Sequence, residues 1–280
     1  MMNLKTCPAM MAATLLATPL AAAEPRLEKL WQTEATLKVP ESVLYDAGRK
    51  VLYVSNIDGT QPWENDGVGS IGRLDLDGNI IEVEWVDGLN GPKGMALAGD
   101  RLYVTDNDDV VTIDIEKGVI IDRLPVPGAG NINDISLGEG GVLYVTDSKK
   151  GLVHELADGE FTTIVDGLTA LNGVLYSDGE LFFVADGGLH LVGEDGAYTT
   201  LASGIEGRVD GVERIDADSW LVSCWKGPVF HVTRDGEVAQ LDDESGTIVA
   251  ADMGYDPVNR IAFFPGFWEN TVAAYRLVTD

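Results

Sequence analysis

Apolar residues recur along this chain in short alternating runs, and one kind of run returns six times. Its members are Leu52-Tyr53-Val54, Leu102-Tyr103-Val104, Leu143-Tyr144-Val145, Phe182-Phe183-Val184, Trp220-Leu221-Val222 and Ala262-Phe263-Phe264. From Tyr53 the steps to Tyr103, Tyr144, Phe183, Leu221 and Phe263 are 50, 41, 39, 38 and 42 residues. A period of roughly 40 residues holding four short strands is the signature of a propeller blade. Behind most of these runs come two more strands joined by a tight turn. Asp77-Gly78, Asp158-Gly159, Asp195-Gly196 and Asp235-Gly236 supply that turn, and Lys117-Gly118 takes its place in blade two. No helical period appears after residue 23. The pattern therefore predicts an all-β, six-bladed β-propeller. The last blade has only three strands, over 250–256, 260–264 and 271–277. Residues 27–37 have no other partner and are expected to supply the missing outer strand, closing the ring and hiding its edges.

Composition adds a location. Lys5, the apolar run 10–20 and Ala21-Ala22-Ala23 have the form of a signal peptide. The expectation is cleavage after residue 23, one domain over 24–280, and a periplasmic or secreted protein. No later stretch is apolar for long enough to insert as a membrane helix. The formal net charge of −27 repels nucleic acid and anionic lipid and suits solubility and cation attraction; the expected partner is a small-molecule substrate, on the grounds of the candidate chemistry at the channel mouth. Cys7 leaves with the signal and Cys224 is then alone, which removes a disulfide framework.

Candidate chemistry lies at a fixed offset, 10 to 12 residues before each paired run. The residues there are Glu41, Lys93, Asn133, Asn172, Asp210 and Asp252. Each introduces the innermost strand of its blade, and the starts of inner strands share one mouth of the central channel. Glu41, Asn133, Asn172 and Asp210 offer hard oxygen donors with two negative charges and no thiol or imidazole. Such a set favours Ca²⁺, with Mg²⁺ as the alternative. Asp210 is the leading candidate for catalysis. Asp134, one residue past Asn133, is the second; its side chain is expected to turn away from the channel and to orient Asn133 or a backbone amide.

These residues carry a resemblance. Pro40-Glu41-Ser42-Val43, Asn133-Asp134, Leu171-Asn172-Gly173 with Val184-Ala185-Asp186, and Val209-Asp210-Gly211 resemble motifs of the senescence marker protein/gluconolactonase/luciferin-regenerating enzyme superfamily. The resemblance implies a calcium-dependent hydrolase of lactones or related esters. By it, Glu41, Asn172 and Asp210 hold the metal, and Asn133 binds metal or substrate. Sugar lactonases of that family usually carry an Arg where this chain has Asn131, which removes a planar two-point anion clamp. Lys93 is a candidate cation for substrate from another side.

Loops between second and third strands should cover the same mouth. The longest, 56–70, carries Trp63, and Trp225 and Trp268 occupy the matching loops of blades five and six. All three are candidate walls for an acyl or aromatic group. Gly67-Val68-Gly69-Ser70-Ile71-Gly72 spells a dinucleotide fingerprint but enters a strand rather than a helix, so it lacks the context that motif requires. No GxSxG, HExxH or CxxC motif is present. Two further readings stay open on the same site: phosphotriester hydrolysis, and a non-enzymatic propeller that binds a ligand or protein at its mouth.

Overall fold

The computed structural model describes residues 25–241 and 248–279; the expected signal peptide lies outside them. Blade one is β2 (Pro40–Asp46), β3 (Val51–Asn56), β4 (Gly69–Asp75) and β5 (Ile80–Leu89), and blade two is β6 (Pro92–Ala98), β7 (Arg101–Asp106), β8 (Asp109–Asp114) and β9 (Val119–Pro125). Blade three is β10 (Ile132–Leu137), β11 (Leu143–Asp147), β12 (Leu152–Ala157) and β13 (Glu160–Val165). Blade four follows as β14 (Val174–Ser177), β15 (Glu180–Ala185), β16 (Gly188–Val192) and β17 (Tyr198–Ser203). Blade five is β18 (Val209–Asp216), β19 (Ser219–Cys224), β20 (Val229–Thr233) and β21 (Val238–Leu241). Blade six is β22 (Gly254–Asp256), β23 (Ile261–Pro265), β24 (Val272–Val278) and, on its outside, β1 (Arg26–Gln32). Every pairing within a blade is antiparallel, and the described residues contain no α-helix.

The chain is a six-bladed propeller closed by its N-terminal strand. β1 runs along β24 from Arg26↔Val278 to Gln32↔Ala273. Beyond it Leu37 donates its N–H to Asn270 O at 3.1 Å and buries its side chain beside Val43 and Phe263. Leu27 sits in the core with Leu277 and Tyr255. Deleting residues 27–37 would therefore open the edge of β24 and strip the core of both leucines. We expect aggregation and a large drop in melting temperature, read by size-exclusion chromatography and thermal melts. Leu27→Ala alone should cost about 2–5 kcal/mol. An unchanged melt after the deletion would show that the segment does not close the ring.

Core packing explains why the paired apolar runs recur. The second strand of each blade is the one sheathed by neighbours on both faces. Phe182 and Val184 of β15 pack on Trp220 and Val222 of β19, with the Phe182 and Trp220 rings 5.0 Å apart. Tyr53 of β3 packs in the same way with Val104 of β7. The inner strands leave an axial cavity of ≈ 340 Å³, lined by side chains that include Ser42, Asp134, Ser136, Glu213 and Asp252.

Candidate functional site

A repeated irregularity builds the mouth. The ladders between first and second strands slip between Pro40 and Ser42, Pro92 and Met95, Ile132 and Ile135, and Val209 and Val212. Glu41, Lys93, Asn133 and Asp210 all lie in these bulges, and a bulge re-aims the side chain it carries. A bulge also leaves a backbone N–H without its ladder partner. Here a buried hydroxyl from the second strand accepts it: Ser55 Oγ from Ser42 N at 3.0 Å, Thr146 Oγ1 from Asp134 N at 2.9 Å, and Ser223 Oγ from Gly211 N at 2.9 Å. The hydroxyl that follows the Tyr-Val or Leu-Val pair thus fixes the strand that presents the ring.

Four of the six expected ring positions, Glu41, Asn133, Asn172 and Asp210, bring acids or amides to the mouth; Asp252, expected as a fifth, takes a place like that of Asp134 below the ring instead. Glu41 and Asp210 are only 5% and 2% exposed. Asn172 Nδ2 donates to Asp210 Oδ1 at 2.6 Å. The other oxygen of Asp210, Oδ2, and Glu41 Oε2 are buried and accept no hydrogen bond. Burial, the charge of Asp210, and more weakly Asp252 and Asp134 hold the Glu41 carboxyl well above the usual range, against the pull of Lys93. Burial and then Asp252 push Asp210 up to about 8, opposed by Arg208 and by the Asn172 hydrogen bond. Two carboxylates whose free oxygens find no donor in the protein suit a bound cation, because an unpaired buried charge is costly. Among the described residues no three His, Cys, Asp or Glu side chains converge on one point. The available donor set is accordingly two carboxylates, Glu41 and Asp210, with the amides of Asn172 and Asn133, a composition suited to a hard cation. Asn133 is 7% exposed, and its Nδ2 reaches Ser148 Oγ at 3.4 Å.

Asp134 and Asp252 do something different. Asp134 does not turn away from the channel, and of its two expected supporting roles it takes the one on backbone amides: its Oδ1 accepts Ile135 N at 2.7 Å, and its Oδ2 crosses to Val174 N of the next blade at 2.7 Å. Asp252 repeats the arrangement between blades six and one, with Oδ1 on Met253 N at 2.9 Å and Oδ2 on Ser42 Oγ at 2.6 Å. Each lies against a glycine of the preceding blade; a Cβ on Gly94 would come within 2.2 Å of Asp134 Oδ1, and one on Gly211 within 2.4 Å of Asp252 Oδ1. Both aspartates therefore stitch adjacent inner strands together below the ring. Burial first, then Asp252, raises the Asp134 carboxyl well above its usual range, while the two amide donors oppose the rise.

Lys93 is 2% exposed, and the structure surrounds its ammonium with loop atoms rather than carboxylates. It donates to Gly91 O at 2.6 Å, Pro62 O at 2.8 Å and Asn107 Oδ1 at 3.2 Å, with the Trp63 ring 3.7 Å away. Asn107 Nδ2 completes the anchor by donating to Glu64 O and Asn65 Oδ1. The loop 57–68 is thereby tied over the blade-two side of the mouth, and all three ammonium hydrogens are engaged. Burial lowers Lys93 to about 8, with Glu41 and Asp106 opposing. Asn131 lies at the entry to β10, where its N–H donates to Asp147 Oδ1 and its carbonyl accepts from Ser148 N. Trp225 and Trp268 meet around buried Phe267, at 5.7 and 4.8 Å between ring centres.

Two residues of this region were not among the candidates read from the sequence. Glu213 lines the channel, and burial followed by Asp252 pushes its carboxyl up to about 8. Simple alternation from Asp210 places a residue three positions on at the opposite face; the bulge between Val209 and Val212 breaks that count. Arg208 is exposed, with its guanidinium 4.9 Å over the Trp225 ring. Nothing in Arg208-Val209-Asp210 announces that contact, since Trp225 arrives from the far end of β19. The Asn or Asp that follows four of the paired runs also does more than end its strand. Asp147 does accept Lys149 N at 3.2 Å, but Asn56, Asp106, Asp147 and Asp186 all hold the loop that enters their own blade.

No protein-family profile and no curated protein sequence matches the chain. Solved structures do. A Bacteroides thetaiotaomicron protein of unknown function superposes with a TM-score of 0.69 at 14% identity, over 91% of this chain and 76% of that one. A chain of a nidogen/laminin complex gives 0.64 at 20% identity, over 78% and 84%. A catalytically inactive virginiamycin B lyase from Staphylococcus aureus with quinupristin gives 0.63 at 16% identity, over 91% and 100%. At such identities the likeness extends to the fold, and the propeller is what this chain shares with these proteins.

Proposed function

We propose that the mouth of the channel holds a divalent cation, calcium, and hydrolyses a lactone or a related ester. The observation that carries this reading is the pair of buried, unpartnered carboxylate oxygens, Glu41 Oε2 and Asp210 Oδ2, in one ring with Asn172 and Asn133. The resemblance of Pro40-Glu41, Asn172-Gly173 and Asp210-Gly211 to motifs of the senescence marker protein/gluconolactonase superfamily supports the same assignment. Glu41, Asn172 and Asp210 would hold the ion, with Asn133 beside them. A calcium ion in such a site supplies Lewis acidity toward a carbonyl oxygen. Asp210 would orient or deprotonate water as well as hold the ion, with Asn172 donating to one of its oxygens. The loop 57–68, tied down through Lys93 and Asn107, covers one side of the mouth against bulk water. Export would suit a calcium site of extracellular affinity.

The test is a panel of lactones, carboxylic esters and phosphotriesters, assayed with calcium and again after chelation, beside calorimetry for calcium. Calcium-dependent turnover of a lactone or ester is the expected result. Turnover confined to triesters would reassign the chemistry to phosphoryl transfer. Calcium binding with no turnover on any class would make the mouth a binding site, and absent calcium binding would remove the proposal.

A further inference from the structure

The mouth carries a second feature besides the acid and amide ring. In a chain of net charge −27, most of the described arginines reach a carboxylate. Arg49, Arg73, Arg101, Arg123, Arg214 and Arg234 all do so. Arg208 and Lys226 stand at the mouth and do not, among the described residues; both are exposed. Each is held against the same indole. Arg208 Cζ lies 4.9 Å and Lys226 Nζ 4.2 Å from the centre of the Trp225 ring, and Lys226 lies 5.5 Å from that of Trp268. Their backbones are fixed as well: Trp225 N donates to Arg208 O at 2.8 Å, and Lys226 N to Ala250 O at 2.7 Å. Phe267, only 2% exposed, supports the two tryptophans from within.

Two like charges on one ring repel each other, and neither forms an ion pair among the described residues. A guanidinium laid on an indole keeps its edge N–H groups free, in the planar fork that matches a carboxylate. Arg208 is also two residues before Asp210, at the entry to the strand that carries it. An anion seated on Arg208 and Lys226 would thus lie beside the ring rather than remote from it. The acidic field of the whole chain repels every further negative charge, which favours a monoanion over a phosphate dianion.

We infer that Arg208 and Lys226, mounted on Trp225 at the blade-five rim of the mouth, bind a carboxylate of the substrate and select monoanionic lactones or esters over neutral ones. This assignment rests on the hydrolase reading for the word substrate, but its test does not need turnover. The probes are monomethyl glutarate, which carries one ester and one carboxylate, dimethyl glutarate, its neutral counterpart, and inorganic phosphate. Binding is read by calorimetry and by tryptophan fluorescence in calcium buffer. Wild-type protein should bind the monoanion about tenfold or more tightly than the neutral diester. The double variant Arg208→Gln, Lys226→Gln should lose that preference and keep its affinity for the diester, which also reports an intact fold; Arg208→Lys should retain part of it. Glu41→Gln should keep the preference even where calcium binding and hydrolysis are lost, so failure of the metal reading and failure of this one give different results. Equal binding of the two glutarates, binding of neither, or a preference that survives in the double variant would overturn the inference. Phosphate binding as tight as the monoanion would overturn the choice of a carboxylate.

Discussion

In metal-free buffer the protein should lose stability as the pH rises from about 4 to about 8, and calcium should remove most of that loss. The cause is the concentration of buried carboxyl groups along the channel. Burial first, and then neighbouring negative charge, raises Asp210 and Glu213 to about 8 and holds Glu41 and Asp134 well above their usual range. Burial raises Asp252 to about 6, against its hydrogen bonds from Ser42 and Met253. A carboxyl whose pKa is higher in the folded than in the unfolded chain binds more protons when folded, between the two values. Stability then falls with rising pH across that interval and reaches its full loss above the folded pKa. For Asp210 and Glu213 the interval runs from the ordinary carboxylate range to about 8. Calcium reverses the balance at Glu41 and Asp210, because it binds their charged forms and only in the folded state. We expect the melting temperature without metal to drop by roughly 10 °C or more across this range, and to be nearly flat with millimolar calcium. Asp210→Asn should shrink the slope. A melting temperature in metal-free buffer that rises between pH 5 and 8 would refute the account.

The second large effect separates two aspartates that the sequence offers as rivals. Asp210→Asn removes one of the two ring charges and puts an NH₂ where the unpartnered oxygen stood, while the remaining oxygen can still accept from Asn172. Calcium affinity should fall about a hundredfold, and turnover should be undetectable even when calcium is raised to saturation. The metal-free fold should be unharmed, since the replaced group is a carboxyl that burial already penalises. Asp134→Asn should behave in the opposite way. Asp134 accepts two backbone N–H groups, from Ile135 and from Val174 in the next blade. An asparagine has one acceptor oxygen and would aim its own NH₂ at the second amide, at a cost of about 1–3 kcal/mol. Melting should fall by several degrees, with turnover reduced but present. Full activity of Asp210→Asn at saturating calcium would leave Asp210 as a ligand only and move the proton to another base.

The propeller was legible in the sequence because its signal is periodic. Six apolar pairs at near-constant spacing, most followed by a two-residue turn, leave few folds that can bury them. The count of three strands in the last blade likewise located the closing strand, since an unpaired edge needs a partner. The ring positions were legible for the same reason: they stand at a fixed offset from the repeat, and Glu41, Lys93, Asn133 and Asp210 fall in equivalent bulges. What each ring residue touches was not legible. Lys93 could have paired with Glu41 or Asp252, but the loop 57–68 folds back to supply Pro62 O and the Trp63 indole, and Gly91 O and Asn107 Oδ1 of blade two complete three neutral acceptors. Asp134 was expected to turn away from the channel; the bulge and the close approach of the next blade at Val174 send its carboxylate sideways instead. The stacking of Arg208 and Lys226 on Trp225 joins two loops of blade five that are sixteen residues or more apart in the chain. A repeat fixes which residues occur once per blade and at what height along it. Contacts between loops, and between one blade and the next, depend on how far each segment bends, and only the closed ring sets that.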